Sequence, residues 1–235
     1  MSIENFLKHF FNSLFEKKYN TEMTLKNSPL VCIKVVKKID HKRYTLLVNE
    51  REIACISHKL LEIGQNYWCI ISIDKDGIIT LSQLQKQPDF FQNNSFFSFE
   101  MAFEEIVKNL KAKDIKSYYL NILNRQKLLD KEQAKTFIFC LQNGVLSYPL
   151  FLYNEIMLLQ FKIINQNLNE KSVQYYFAFK NFGCFSGVIN SDKNILRLKY
   201  DNVVEMERYK DIVLIKKDAI EPLCKISKNI LDLKG

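Results

Sequence analysis

Five short runs between residues 31 and 81 decide the fold of the first half of the chain. Each is rich in β-branched and aromatic residues with a period near two, which is typical of strands. Polar turns separate the runs, and the turn DKDG is of the kind that closes a hairpin. Five strands at this spacing predict a small five-stranded β-barrel of the OB or SH3-like kind over residues 29–87. The runs are VCIKVV (31–36), YTLLV (44–48), EIACI (52–56), YWCIISI (67–73) and IITL (78–81).

The period changes to that of a helix on both sides of this barrel. Residues 1–28 place apolar side chains at i, i+3, i+4 and i+7, which predicts an amphipathic N-terminal helix. Residues 96–170 predict a helical middle, of which one helix stops at Asn143-Gly144. A fourth predicted helix in this region buries Leu152, Ile156, Leu159 and Phe161.

Period two returns after residue 170. The run VQYYFAF and the runs that follow it predict a β-sheet, and a helix that starts at Asp218 is expected to close the chain. Residues 171–235 therefore form an α+β C-terminal module in this prediction. The predicted fold class of the whole chain is α+β, with an N-terminal helix, a barrel, a helical middle and this module.

Composition excludes several classes of protein. The chain is 47% apolar and 26% charged, which indicates a folded globular protein. Its six cysteines form no CxxC or Cys/His pair, so we expect reduced thiols, no metal site and a cytoplasmic location. No apolar run is long enough for a membrane span, and no secretory signal is recognisable. Phosphate-binding loops and hydrolase motifs are missing, so we expect neither an enzyme nor a cofactor.

The net charge of +8 raises the question of nucleic acid. Of the 34 basic residues, 29 are lysines, and they are spread over the chain, which favours a role in solubility. One concentrated group lies on the first barrel hairpin, where Tyr44, Tyr67 and Trp68 are candidates for stacking on bases. An OB-type nucleic-acid-binding protein is therefore the alternative function. Its candidate contacts are Lys34, Lys37, Lys38, Lys42 and Arg43.

Two patterns carry a resemblance to a known family. The barrel contains Leu60-x-x-x-Gly64-x-x-Tyr67-x-x-x-Ile71-x-Ile73, and the C-terminal module contains Tyr176-Phe177-Ala178-Phe179-x-x-Phe182-Gly183-x-Phe185-x-Gly187-Val188-Ile189. In this order the parts resemble the flagellar hook-length control protein family. The chain departs from that family by being short, by having no long polar regions and by having no proline in the turn before Gly183.

The resemblance implies a non-enzymatic protein-interaction module of flagellar biogenesis and type III export. Its partner would be the switch protein of the cytoplasmic export gate or an export chaperone. The exposed face of the C-terminal sheet would then be the contact surface. The residues that the resemblance assigns to this surface are Phe179, Phe182, Gly183, Phe185, Arg197 and Tyr200.

Overall fold

The structure is a computed structural model that describes residues 30–92, 117, 138–152, 155–167, 170–181, 183–189, 194–198 and 212–225. Its regular elements in these ranges are mostly β-strands. Five strands precede the 3-10 turn Asp89–Gln92, and six follow it. The strands are β1 (Leu30–Lys38), β2 (Arg43–Val48), β3 (Arg51–Ile56), β4 (Asn66–Ile73), β5 (Ile79–Lys86), β6 (Val145–Leu152), β7 (Glu155–Asn167), β8 (Glu170–Phe179), β9 (Gly183–Ile189), β10 (Asn194–Leu198) and β11 (Ile212–Lys216).

The first five strands close into a barrel in the order β1-β2-β3-β5-β4, with β4 pairing back onto β1. Strands β3 and β5 are parallel and meet at Ile56 and Thr80, while the other pairs are antiparallel. The predicted five-stranded barrel is therefore present. Alternate side chains fill its interior, as period two requires. The buried core consists of Ile33, Val35, Tyr44, Leu46, Cys55, Leu61, Tyr67, Cys69, Leu81 and Leu84.

Strand β1 pairs with two strands, β2 and β4, because it bends. Residues 30–34 pair with β4, whereas the strand from Lys34 onward pairs with β2. The register with β2 shifts between Val35 and Lys37, so Val36 is a β-bulge residue. A bulge bends and twists a strand, which lets β1 turn from one side of the barrel to the other. Closure of the barrel depends on this bend.

The remaining strands form one six-stranded sheet in the order β11-β10-β9-β8-β7-β6. Strands β6 to β10 are antiparallel neighbours in chain order, and β11 is added parallel to β10. Both faces of its centre are buried, since five consecutive residues of β7, from Met157 to Phe161, are at most 1% exposed. Tyr176, Ala178 and Leu158 face the barrel.

The predictions of a helical middle and of an α+β fold are wrong for the described residues. Residues 145–152 and 155–167 are strands of the sheet, and within the predicted helical region only residues 138–142 form a described helical turn of more than one residue. The physical reason is burial of both faces of β7. Residues 156–161 of β7 are apolar on both faces except for Gln160, so their spacing does not distinguish a strand from a helix.

The predicted closing helix from Asp218 is also wrong in its described part. Residues 217–225, which we call the C-terminal strap, contain neither helix nor strand. Pro222 cannot donate a helical backbone hydrogen bond, and the backbone of Ile220 and Cys224 is paired with side chains from elsewhere. The predicted N-terminal helix 1–28, the helices predicted within 96–137 and the end of the closing helix lie outside the described residues.

The barrel and the sheet pack directly against each other. Trp68 of β4 and Phe91 of the 3-10 turn share one buried cluster with Tyr176 and Ala178 of the sheet. The Trp68 indole N–H donates to the carbonyl oxygen of Lys180 over 2.9 Å, and the Gln87 side chain donates to the same oxygen over 2.8 Å. The contact uses β4, the residues after β5 and the start of β1, where Leu30 packs against the same cluster.

The C-terminal strap fills the seam between the two parts. The strap starts after β11, at one edge of the sheet. Its residue Ile220 contacts Cys184 of β9, and its residue Cys224 contacts Gln160 of β7. Gln85 of the barrel and Gln160 of the sheet each pair with the strap backbone. The strap therefore crosses the sheet roughly perpendicular to its strands and touches the barrel on its way.

Candidate functional site

The five predicted basic side chains lie on one exposed hairpin, which we call the basic hairpin (residues 34–43). It comprises the end of β1, the connecting turn and the first residue of β2. The neighbouring side chains Val35 and Tyr44 are buried at 0% exposure, so alternation turns Lys34 and Arg43 outward. The bulge at Val36 shifts the alternation by one residue, which turns Lys37 outward as well. All five basic side chains are exposed, and Lys37 lies opposite Thr45 in the register.

Asp40 shapes the turn of the basic hairpin. Its carboxylate accepts the backbone N–H groups of Lys42 at 2.9 Å and of Arg43 at 2.8 Å, and it pairs with the Arg43 guanidinium. These hydrogen bonds, the Lys42 one foremost, hold the pKa of Asp40 well below its ordinary value. Arg43 is thus paired, whereas Lys34 and the other lysines of the hairpin form no ion pair with any described residue.

Charge is unevenly distributed over the barrel. Residues 34–43 hold five basic and one acidic side chain, a net charge of +4. Residues 44–92 hold four basic and six acidic side chains, a net charge of −2. The barrel is therefore polarised, with its positive charge concentrated on the basic hairpin. This segregation was hidden in the total charge, because a sum over the chain does not show where charges lie.

The aromatic residues predicted to stack on bases do not reach the surface. Tyr44 and Trp68 are 0% exposed and Tyr67 is 6% exposed. The Tyr44 and Tyr67 hydroxyls accept the backbone N–H groups of Leu61 and Glu62, at 3.3 Å and 3.1 Å. These two tyrosines hold the loop 57–65 onto the barrel and are not a stacking platform. The prediction that these aromatic side chains face a ligand is wrong, because Tyr44 and Tyr67 lie in the barrel core and Trp68 packs against the sheet.

Exposed aliphatic side chains accompany the basic hairpin, and sequence reasoning missed them. Ile39 in the turn is 49% exposed and the bulge residue Val36 is 38% exposed. The loop 57–65 meets the same strand end, since the Gly64 N–H donates to the Val35 carbonyl at 2.7 Å. Its residues Leu60 and Ile63 are 80% and 62% exposed. This end of the barrel therefore combines lysines with exposed aliphatic groups.

Of the six residues assigned to a partner surface, the structure describes four, and three of these are buried. Phe179 and Phe185 are at most 2% exposed and stack on each other at 5.8 Å between ring centroids. Gly183 is buried with φ +88°, and Arg197 is half-buried. Phe182 and the sixth residue, Tyr200, lie outside the described residues.

No metal centre is visible in the part of the chain that the structure describes, where no three His, Cys, Asp or Glu side chains are arranged to hold an ion. All six cysteines are free thiols. Among the described residues, no helix has the length and apolar character to span a membrane.

Comparisons with protein families, with curated proteins and with solved structures find no match to this chain.

Proposed function

We propose that the barrel is an OB-type module that binds nucleic acid through the basic hairpin, with Lys34, Lys37, Lys38 and Lys42 on the phosphates. The observation that carries this proposal is the +4 charge of the hairpin on a barrel that is otherwise negative. Lysines neutralise phosphates and release counterions, which provides affinity without reading sequence. The order of the five strands, with β3 and β5 parallel, supports the OB-type assignment.

The same surface suggests how the ligand is bound. Tyr44, Tyr67 and Trp68 are buried and cannot stack on bases. A ligand would therefore be held by its backbone, and affinity would depend little on base sequence. Ile39 and Val36 add apolar contact for sugars beside the phosphates. Arg43 is paired with Asp40, so the four lysines of the hairpin supply most of the electrostatic attraction to phosphates.

The test is fluorescence anisotropy with a labelled oligonucleotide. We expect the double variant Lys37→Gln/Lys42→Gln to bind at least about tenfold more weakly than the unmodified protein, since two phosphate contacts are removed. Lys75→Gln is the matched control, because it removes an exposed lysine from the β4–β5 turn. Equal affinity of the hairpin variant and the control would reject the proposal.

The protein-interaction function in type III export remains a prediction. Burial of Phe179 and Phe185 removes two residues from the contact surface that the resemblance implied. An affinity purification from the protein's own cell extract, with and without nuclease, separates the two functions. Export-gate components that survive nuclease treatment would support the export function, whereas partners that are lost on nuclease treatment would support binding of nucleic acid.

A further inference from the structure

Two thiols meet at the end of the C-terminal strap. Cys140 lies in the helical turn 138–142 and Cys224 on the strap, and both belong to one buried cluster with Val145. Their side chains are hydrogen-bonded to each other, sulfur to sulfur. Gln160 fixes the backbone at Cys224, accepting its N–H at 3.1 Å and donating to its carbonyl at 2.8 Å. The two thiols are thus held in contact by the fold.

A chain of buried hydrogen bonds ends at the Cys224 sulfur. Gln160 Nε2 donates to Ser147 Oγ at 3.2 Å, the Ser147 side chain is hydrogen-bonded to Cys140, and the Cys140 thiol donates to Cys224. Donation raises the pKa of Cys140, and acceptance lowers the pKa of Cys224. Negative charge is therefore favoured at Cys224, and the thiolate is the reactive form of a cysteine.

The environment of Cys224 differs from that of the barrel thiols. Burial raises the pKa of Cys69 to about 12 and that of Cys55 to about 11. Cys224 is 7% exposed and stands beside the exposed Lys225 on a segment without helix or strand. Local opening of the strap breaks the Gln160 hydrogen bonds and exposes this thiol to a small oxidant, whereas Cys69 lies in the barrel core.

We propose that Cys140 and Cys224 are a dithiol pair that hydrogen peroxide oxidises to a disulfide, which ties the C-terminal strap to the helical turn 138–142. In the first step the Cys224 thiolate attacks one peroxide oxygen, the O–O bond breaks, and hydroxide leaves and takes up a proton to become water. Cys224 is then a sulfenic acid. In the second step the Cys140 sulfur attacks that sulfur, the S–O bond breaks, and a second water leaves. Two thiols lose two electrons and two protons, and one peroxide is reduced to two waters.

The test uses the reduced full chain, treated with hydrogen peroxide, alkylated and mapped by mass spectrometry. We expect a Cys140–Cys224 disulfide as the first product, with Cys224 oxidised at least about tenfold faster than Cys69. Cys140→Ser should stop the reaction at a sulfenic acid on Cys224 that dimedone traps. The matched control Cys69→Ser should form the disulfide at the unchanged rate.

Two outcomes would overturn the proposal. One is oxidation of Cys69 or Cys55 at the same rate as Cys224. The other is a sulfenic or sulfinic acid on Cys224 that never resolves to the disulfide while Cys140 is present. Slower amide hydrogen exchange of residues 217–225 after oxidation, reversed by a thiol reductant, should confirm that the strap has been tied down.

Discussion

The side-chain amide of Gln85 pairs with both backbone groups of Ile220, 135 residues further along the chain. Its Nε2 donates to the Ile220 carbonyl at 3.1 Å, and its Oε1 accepts the Ile220 N–H at 3.4 Å. Gln160 makes the same pair of hydrogen bonds with Cys224. A primary amide carries donors and an acceptor like those of a peptide group. Each glutamine side chain therefore makes the two hydrogen bonds that a residue of a neighbouring strand would make. These bonds hold the irregular strap between barrel and sheet.

Loss of a glutamine clamp should destabilise the protein. We expect Gln160→Ala to lower the free energy of unfolding by about 2 kcal/mol, because the buried N–H and carbonyl of Cys224 lose their partners. Urea unfolding measures this change. The control Gln142→Ala removes an exposed glutamine and should change the free energy of unfolding by less than about 0.5 kcal/mol. Similar values for both variants would show that the clamp contributes nothing.

Trp68 reports on the contact between barrel and sheet, because it is the only tryptophan and is 0% exposed. We expect blue-shifted fluorescence in the native state and a red shift on unfolding. If the contact through the Lys180 carbonyl couples the two parts, this shift should coincide with the loss of far-UV circular dichroism across a urea series. A fluorescence transition that precedes the circular dichroism transition would mean that the barrel separates or unfolds first.

Glycine is required at position 187 because neighbouring atoms lie too close to leave room for a side chain. A Cβ at this position would collide with the carbonyl oxygen of Ile195 and with the ring of Tyr175. We expect Gly187→Ala to cost about 3 kcal/mol of stability, since both neighbours are packed. Gly77 has φ +77° and open space around it, so Gly77→Ala should cost only about 1 kcal/mol from backbone strain. Thermal unfolding compares the two, and an equal cost would contradict the packing argument.

Acid should loosen the turn of the basic hairpin. Because the folded pKa of Asp40 lies below its ordinary value of 3.8, the native turn favours the ionised carboxylate. The stability from this group is present above the unfolded value and is lost as the pH falls from there through the folded pKa. An NMR titration of the Asp40 carboxyl should give a midpoint well below 3.8, and Arg43→Ala should raise it. A midpoint near the ordinary value would contradict the described hydrogen bonds.

The barrel could be predicted from the sequence because its strands bury one face and expose the other. Ile33 and Val35 are buried while Lys34 between them is exposed, so the period of two is preserved. Strand β7 gives no such signal, because its central residues are buried on both faces. Ile156 and Leu159 of this strand are three residues apart, which is also the spacing of a helix. The strap could not be predicted, because its structure depends on Gln85, a residue far away in sequence.

The candidate site was predicted in part. The group of basic residues could be found from their order, because charged side chains seldom lie inside a barrel. Which aromatic side chains reach the surface could not be found, since Tyr44 and Trp68 fit either face of a strand. The exposed Leu60 and Ile63 were missed because an aliphatic run in a loop is indistinguishable from a core segment. Only the tertiary arrangement decides these positions.

The central claim is that the lysines of the basic hairpin contact phosphates, and its most direct test is the salt dependence of oligonucleotide binding. The logarithm of the association constant, plotted against the logarithm of the salt concentration, should fall with a slope of roughly −3 for four contacts on a single strand. Lys37→Gln should reduce the size of this slope by about 0.7, while Lys75→Gln should leave it unchanged. Binding that is insensitive to salt, or a slope that Lys37→Gln does not change, would contradict the account.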